Sequence, residues 1–294
     1  MRLTRPMRSK LFVPGSRPEL FAKALASEAD SLSIDLEDAV AENRKHEARE
    51  ATHAFLVSAA AAASPKIIIV RVNAPGTVYF LDDIRAVTCP RLDILNLPMV
   101  ESASTVRDAA AALERHEREF GIDTPIGILA NIETPLGLRC AREIASADPR
   151  VVGVQIGYAD LFEAMGVDRY DSMTVHQILL MLRLAAAEAG VWAYDGAYPA
   201  IGNPDGYLAE AKCARRLGYL GKSCIHPSQI ALANEAFQPG EAQIAQARRI
   251  MEVAAKAARD GVGAFTVDGS MIDAPFIKRA EAVLAAAGVP VVKV

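Results

Sequence analysis

Two carboxylates stand where short apolar stretches of the sequence end, a place where an acidic side chain is costly to bury without a partner. Glu133 closes the stretch at residues 126–133, just before a turn at Pro135, and Asp160 follows the next stretch. Carboxylates without nitrogen or sulfur ligands suit a hard cation, and one or two of them typically hold Mg²⁺, with water or substrate in its other positions. We predict that Glu133 and Asp160 bind one Mg²⁺ ion, with Mn²⁺ as the alternative.

Three more acids, Asp35, Glu37 and Asp38, follow an earlier apolar stretch. We expect them to accept hydrogen bonds from water bound to the cation and so to support the site. The alternative for any single carboxylate is a helix N-cap or an ion pair, and Asp160 stands where a helix begins. A series of carboxylates on consecutive strand ends, with an arginine among them, favours a functional site.

Three basic residues also stand near the ends of apolar stretches. Arg71 lies in the sequence VRVN, and we expect it to bind an oxyanion or carboxylate, with a structural ion pair as the alternative. Lys222, if desolvated, has the chemistry to form a Schiff base with a carbonyl substrate, but a solvated loop lysine beside Gly221 is the favoured interpretation. His226, in the sequence IHPS, is interpreted as an interior histidine at a helix cap.

The elements that must position these residues alternate along the chain. Eight short apolar stretches recur, several of them continuously apolar, as expected of strands covered on both faces. Segments with helical periodicity lie between them. This alternation predicts an α/β fold, a (β/α)₈ TIM barrel, in which the carboxyl ends of the strands carry the active site. The stretches are residues 9–14, 31–37, 66–73, 92–100, 126–133, 151–158, 191–198 and 219–227.

The helices differ in how clearly the sequence marks them. Helices are predicted at 17–29, 103–120 and 172–190, and the connection at 79–90 is the weakest helix. We expect the barrel domain to span residues 1–237.

The remaining residues, 238–294, form a predicted C-terminal helical extension. Amphipathic helices at 241–261 and 273–288 flank a hairpin that turns at Asp268-Gly269. An extension beyond a closed barrel must pack on its own barrel or on another copy, and we expect it to pack on a neighbouring subunit.

The composition argues against several classes of protein. The 294 residues carry a formal net charge of −4, which argues against nucleic-acid binding. The four cysteines form no CxxC pair, as expected of a reducing cytoplasm. Since no apolar stretch is long enough to span a bilayer or to serve as a signal peptide, we expect a cytoplasmic protein without a membrane partner.

Six stretches, taken in order, resemble the HpcH/HpaI aldolase superfamily and, within it, the citrate lyase β-subunit-like branch of citryl-CoA, malyl-CoA and citramalyl-CoA lyases. The resemblance runs from about residue 8 to residue 288 of this sequence. The stretches are SKLFVPGSRPELFAKALASEADSLSIDLEDAV, VRVNAPGT, LPMVESA, NIETPLGL, GKSCIHPSQIALANEAFQP and AFTVDGSMIDAP.

The resemblance implies a TIM barrel that forms a homotrimer or hexamer, with the C-terminal extension lying across a neighbouring subunit. It implies that Glu133 and Asp160 hold Mg²⁺ and that Arg71 contacts the thioester or carboxylate oxygen of the substrate. It further implies that Asp273 acts as acid or base from the adjacent subunit, and that Arg17 contacts a nucleotide phosphate of CoA.

Two positions depart from the pattern of the family. Met99 stands where a lysine is usual, and Ala159 stands where a carboxylate is usual. Neither departure removes a proposed metal ligand, and the loss of one cation together with one anion leaves the charge unchanged.

The resemblance predicts a Mg²⁺-dependent carbon–carbon lyase that reversibly cleaves a 3-hydroxyacyl-CoA into acetyl-CoA and a ketoacid. Citramalyl-CoA or malyl-CoA is favoured over citryl-CoA, because a chain that works alone suits a free CoA thioester. The alternatives are a metal-free Schiff-base aldolase using Lys222, and a non-catalytic subunit that binds CoA or an acyl carrier within a larger lyase complex.

Overall fold

The computed structural model describes residues 6–290. This part of the chain divides into two compact units, one ending at Phe237 and the other beginning at Gln238. None of the helices in residues 6–290 is both long enough and apolar enough to cross a membrane.

The first unit is built on eight parallel strands in the order β7-β6-β5-β4-β3-β2-β1-β8. Strand β1 pairs with both β2 and β8, and a parallel bridge between Asp195 and Lys222 joins the ends of β7 and β8. The sheet therefore closes on itself, which confirms the predicted barrel. The strands are β1 Ser9–Pro14, β2 Ser31–Asp35, β3 Ile67–Arg71, β4 Ile94–Leu97, β5 Gly127–Ile132, β6 Val151–Ile156, β7 Trp192–Tyr194 and β8 Lys222–Cys224.

Helices connect the strands and cover the outside of the sheet. Side-chain caps set the starts of two long ones: Ser102 accepts from the Thr105 N–H before α5, and Asp171 accepts from the Thr174 N–H before α9. The helices are α1 Phe21–Leu25, α2 Lys45–Leu56, α3 Ala59–Ala63, α4 Phe80–Val87, α5 Ala103–Phe120, α6 Pro135–Arg139, α7 Ala141–Ala145, α8 Tyr158–Met165, α9 Ser172–Ala189, α10 Pro204–Arg216 and α11 Ser228–Phe237.

Of the helices predicted from the sequence, the one at 17–29 differs most from what the structure shows. It is split into a 3₁₀ turn at Pro18–Leu20 and the short helix α1. The Ser27 hydroxyl donates to the Ala24 carbonyl, a local hydrogen bond that competes with continued helix.

The interior of the barrel has two tiers. The lower tier, on the amino-terminal side of the strands, is a cluster of buried residues that is mainly apolar and is separate from the main core: Met7, Ile67, Ile69, Ile94, Leu129, Val152 and Tyr194. The upper tier, nearer the carboxyl ends, is polar yet buried: Lys10, Asn96, Asn131, Gln155 and Ser223. The buried polar groups therefore lie directly beneath the end of the barrel where the site is expected.

The second unit contains the helices α12, Glu241–Arg259, and α13, Ala274–Ala286, and the antiparallel strands β9, Phe265–Val267, and β10, Ser270–Ile272. The predicted hairpin turn is confirmed, with φ of 48° at Asp268 and 78° at Gly269. The helices and the hairpin share a small apolar cluster of their own.

Candidate active site

A cavity of about 630 Å³ opens at the carboxyl ends of the barrel strands. Five of the predicted site residues lie on its wall: Asp35, Asp38, Arg71, Glu133 and Asp160. The structure thus brings together acids from β2, β5 and the start of α8, which are distant in sequence. This is the clustering that strand ends of a barrel produce.

Glu133 is held in the cavity by its surroundings. Its side chain is buried, and Oε1 accepts a 2.7 Å hydrogen bond from the backbone N–H of Met99. Met99 has a φ of 51°, a left-handed conformation that is uncommon outside glycine. On the other side the carboxylate lies so close to Gly157 that a Cβ atom there would overlap with Oε2. Burial raises the pKa of Glu133 above its usual value, and the nearby Asp160 charge adds to this effect.

Asp160 lies in the first turn of α8 and is exposed to the cavity. The alternative role as an N-cap is not realised, because Gly157 is the cap residue and no side chain caps this helix. Both Asp160 and Glu133 thus offer carboxylate oxygens to the same space.

This pair of carboxylates fits Mg²⁺. Burial and the Asp160 charge make ionised Glu133 unfavourable, and a cation between the two would offset that cost. Within residues 6–290, no group of three or more His, Cys, Asp or Glu side chains is arranged to hold a metal. Two carboxylates with water and substrate oxygens in the remaining positions are the usual surroundings of Mg²⁺.

Arg71 forms the ion pair that the sequence left open as its alternative role, and it lies on the cavity wall. Its Nε and Nη2 atoms each donate a 2.7 Å hydrogen bond to Asp35, so this pair is bidentate and buried. Asp35 also accepts from the backbone N–H groups of Glu37 and Ala39. Despite burial, which acts in the opposite direction, the charge of Arg71 and these hydrogen bonds lower the pKa of Asp35. Asp35 therefore orients Arg71 on the cavity wall.

The third guanidinium nitrogen of Arg71 lies close to the other two acids, Glu37 and Asp38. Nη1 lies 2.8 Å from Glu37 Oε2 and 3.3 Å from Asp38 Oδ2. Burial raises the pKa of Glu37 to about 8, with Arg71 opposing the shift. Asp38 lies on the cavity wall and is exposed, so of these two acids it is the one open to ligands.

For Lys222, the structure corrects the interpretation drawn from the sequence. It lies in β8 and is only 1% exposed, so it is not a solvated loop lysine. Its Nζ atom donates to Asp195, Glu210 and the Gly196 carbonyl at 2.6, 2.6 and 2.9 Å. Although burial alone would lower it, these two carboxylates raise the pKa of Lys222. A Schiff-base lysine must be neutral to attack, so these contacts oppose the aldolase alternative.

His226 is also placed differently from the expectation. It is exposed and not interior, although its ring does cap α11, with Nδ1 accepting from the Ser228 N–H at 3.2 Å.

Two other predicted site residues, Arg17 and Asp273, have surroundings of their own. Arg17 is exposed beside a 3₁₀ turn, where it pairs with Glu19. Asp273 belongs to the second unit and immediately precedes α13. Their assigned roles stay predictions.

Sequence reasoning missed Arg169, another residue on the cavity wall. Its guanidinium is fixed by two hydrogen bonds to Glu210 and lies 4.0 Å from the centre of the Tyr158 ring. Arg169 stands in the loop between α8 and α9, where no periodic pattern indicates which way a side chain points. Its place became apparent only from the fold.

Comparison with known proteins adds independent findings. The family described as HpcH/HpaI aldolase/citrate lyase matches residues 8–227. The citrate lyase subunit beta of Escherichia coli K12 is 36% identical over 291 residues, covering 97% of this chain and 95% of that protein. A (3S)-malyl-CoA thioesterase of Cereibacter sphaeroides is 36% identical over 283 residues, covering 96% and 95%.

Among solved structures, the protein CitE from Mycobacterium tuberculosis, in complex with magnesium, acetoacetate and coenzyme A, superposes with a TM-score of 0.77. It is 34% identical in sequence, and the match covers 98% of this chain and 100% of that one.

Proposed function

Because this chain belongs to the HpcH/HpaI aldolase/citrate lyase family, we propose that it is a Mg²⁺-dependent carbon–carbon lyase. Its substrate is a 3-hydroxyacyl-CoA of the citramalyl, malyl or citryl type, cleaved reversibly into acetyl-CoA and a ketoacid. The observation that carries the proposal is the meeting of Glu133 and Asp160 on one cavity, with Arg71 on the same wall. The complex of the CitE relative with magnesium and coenzyme A supports both as ligands of this chain.

Glu133 and Asp160 are the residues that hold Mg²⁺, with Mn²⁺ as the alternative ion. When bound, the ion supplies Lewis-acid chemistry, lowering the pKa of a hydroxyl that it contacts. Met99 and Gly157 contribute by keeping the Glu133 carboxylate in one position.

In the cleavage direction a general base takes the proton of the substrate hydroxyl, and Arg71 stabilises the charge that develops on the thioester oxygen as the carbon–carbon bond breaks. It is oriented in advance, since two of its nitrogens are fixed by Asp35. Asp273 of an adjacent subunit then donates a proton to the enolate carbon, or removes it in the condensing direction. Arg17 contacts a phosphate of the CoA nucleotide.

Replacing Glu133 by Gln tests the proposal. The amide keeps the shape of the side chain and removes its charge, so we expect Mg²⁺ binding by calorimetry and cleavage of the CoA thioester to be lost together. The exposed Glu143→Gln on α7 is the matched control and should leave both unchanged. Retention of Mg²⁺ affinity and activity by Glu133→Gln would show that the metal assignment is wrong.

Thioester hydrolysis is the second candidate activity, because one relative is a (3S)-malyl-CoA thioesterase. The products distinguish the two: carbon–carbon cleavage yields acetyl-CoA, whereas hydrolysis yields free CoA. Cleavage of a free acyl-CoA by the purified chain would also exclude the non-catalytic subunit, and a borohydride-trapped adduct on Lys222 would instead favour the Schiff-base aldolase.

A further inference from the structure

Lys45, the first residue of α2, is a buried cation to which the proposed reaction gives no role. It is 8% exposed, and the three hydrogen-bond acceptors that it contacts within residues 6–290 are all uncharged oxygens. A buried cation without an anionic partner is costly, and the start of a helix is an unfavourable place for a positive charge. Stability alone therefore does not account for a lysine at this position.

The Nζ atom of Lys45 connects the loops that follow two strands of the barrel. It donates to the Leu36 and Glu37 carbonyls at 2.9 and 2.8 Å, and to Asn73 Oδ1 at 2.6 Å. Leu36 and Glu37 follow β2, and Asn73 follows β3. An ammonium group has three N–H donors, so these contacts use all of them. Lys45 thus holds the two loops in one arrangement.

Each of these three acceptor residues lies beside Arg71. The Leu36 N–H donates to the Arg71 carbonyl at 2.9 Å. The Glu37 carboxylate lies 2.8 Å from Arg71 Nη1, and Asn73 stands two residues beyond Arg71 in the chain. The contacts of Lys45 therefore reach the backbone and the side chain of Arg71 through its immediate neighbours.

A second buried contact sets the orientation of the Asn73 amide. Asp83, 1% exposed, accepts from the backbone N–H and the Nδ2 group of Asn73 at 2.9 and 2.6 Å. Asp83 is paired in turn with Arg49 of α2 at 2.8 Å. Because Asp83 engages the amide nitrogen of Asn73, the amide oxygen is turned to Lys45. Two cations of one helix, Lys45 and Arg49, thus fix the loop after β3.

The proposed metal ligands have supports of their own. The Glu133 carboxylate is held by the Met99 N–H and lies against Gly157, and Asp160 stands on α8. The acceptors of Lys45 belong instead to the loops after β2 and β3. The part of the cavity wall that carries Arg71 and the part that carries the metal ligands are therefore supported separately.

We propose that Lys45 is a positioning residue for Arg71 in the cleavage of the thioester. This inference rests on the proposed function. Asp35 sets the orientation of the guanidinium, and Lys45 sets the arrangement of the loops next to both residues. A cation fixed in advance stabilises a transition state because it does not have to reorient as charge develops. Loss of Lys45 should therefore slow bond cleavage while Mg²⁺ binding is retained.

Lys45→Met tests the inference, because it keeps most of the side-chain length and removes the three donors. The probes are citramalyl-, malyl- and citryl-CoA with Mg²⁺. We expect kcat to fall about tenfold or more, while KM and the Mg²⁺ affinity measured by calorimetry stay within about twofold of their original values. The exposed Lys23→Met on α1 is the matched control and should change none of these quantities.

A double-mutant cycle distinguishes positioning from a general loosening of the fold. Arg71→Lys keeps a cation but loses the two-pronged pairing with Asp35. If Lys45 acts through the guanidinium, adding Lys45→Met to Arg71→Lys should lower kcat by less than about threefold further. A full additive loss in that background would show that Lys45 does not act through Arg71.

Lys45→Gln keeps the test decisive if Lys45→Met does not fold, since its amide retains two N–H donors. We expect a smaller fall in kcat, which likewise disappears in the Arg71→Lys background. An unchanged kcat, or a fall in Mg²⁺ affinity as large as the fall in kcat, would overturn the role of Lys45 alone. If the unaltered protein cleaves none of the three thioesters, the proposed function is overturned, and the role of Lys45 with it.

Discussion

Two backbone features, one at Met99 and one at Gly157, fix the position of the Glu133 carboxylate. The left-handed conformation of Met99 turns its N–H toward Glu133, and Gly157 leaves the space that the carboxylate occupies. A non-glycine residue with positive φ is strained, and such strain concentrates at functional sites. The residue that departs from the family pattern, Met99, thus contributes through its backbone.

Gly157→Ala should displace Glu133, because the new methyl group would overlap with the carboxylate. We expect Mg²⁺ affinity to fall at least tenfold, as measured by calorimetry, with the circular dichroism spectrum unchanged. Gly202→Ala is the control, since nothing lies near the position of its added Cβ. An unchanged Mg²⁺ affinity in Gly157→Ala would contradict the proposed role of Glu133.

The pKa of Glu37 gives a prediction of pH dependence. Burial raises this pKa from 4.5 to about 8 in the folded chain, so between these values the folded state binds a proton that the unfolded state has lost. The free energy of unfolding should therefore fall, by up to a few kcal/mol, as the pH rises from about 5 to about 8. Urea unfolding at a series of pH values, without Mg²⁺, measures this change in the free energy of unfolding.

Glu37→Gln removes the titrating group and should flatten this part of the stability profile, while the exposed Glu143→Gln should leave it as it is. A profile with the same slope in Glu37→Gln would show that Glu37 does not carry the dependence.

At the scale of elements, the sequence predicted every strand of the barrel, because buried parallel strands are continuous apolar runs that end at polar residues. The structural strands are shorter than most of the runs; β7, for example, is only Trp192–Tyr194. The environment of Lys222 could not be predicted, since its partner Asp195 comes beside it only when β7 and β8 meet and close the barrel.

Because Lys222 pairs with Asp195 where the barrel closes, we expect it to stabilise the fold, and Lys222→Met tests this contribution. Removing the ammonium leaves Asp195 and Glu210 buried without their shared cation, so we expect a loss of about 3–5 kcal/mol in the free energy of unfolding. Urea unfolding measures the change. Lys212→Met, which breaks an exposed pair with Glu235, is the control and should cost less than about 1 kcal/mol.

A Lys222→Met chain as stable as the unaltered protein, but inactive, would indicate a direct chemical role for this lysine and reopen the Schiff-base mechanism.

At the scale of the whole molecule, the acids at strand ends were predictable because a barrel gathers all its strand ends at one mouth. The buried polar upper tier of the barrel was not, because Asn131 and Gln155 each stand alone in an apolar stretch and become neighbours only through the pairing of β5 with β6. The same holds for Arg169, which pairs with Glu210 on α10, 41 positions further along the chain.

The role of Asp273 also belongs to this scale, since it depends on assembly. We propose that the second unit, residues 238–294, supplies Asp273 to the site of a neighbouring copy in a homo-oligomer. Mixing Asp273→Ala chains with Glu133→Ala chains should then restore part of the cleavage activity, because some sites in the mixed oligomer combine two intact contributions.

Each variant alone is the control and should be inactive. The absence of recovery in mixed oligomers, verified by differently tagged chains, would show that Asp273 does not act between subunits.

The lower tier of the barrel has a kinetic consequence for the proposed reaction. Because packed side chains from Met7 to Tyr194 close the amino-terminal side, molecules enter and leave the cavity through the mouth at the carboxyl ends. In the proposed reaction the CoA thioester and the ketoacid therefore share one opening, and we expect them to compete for it.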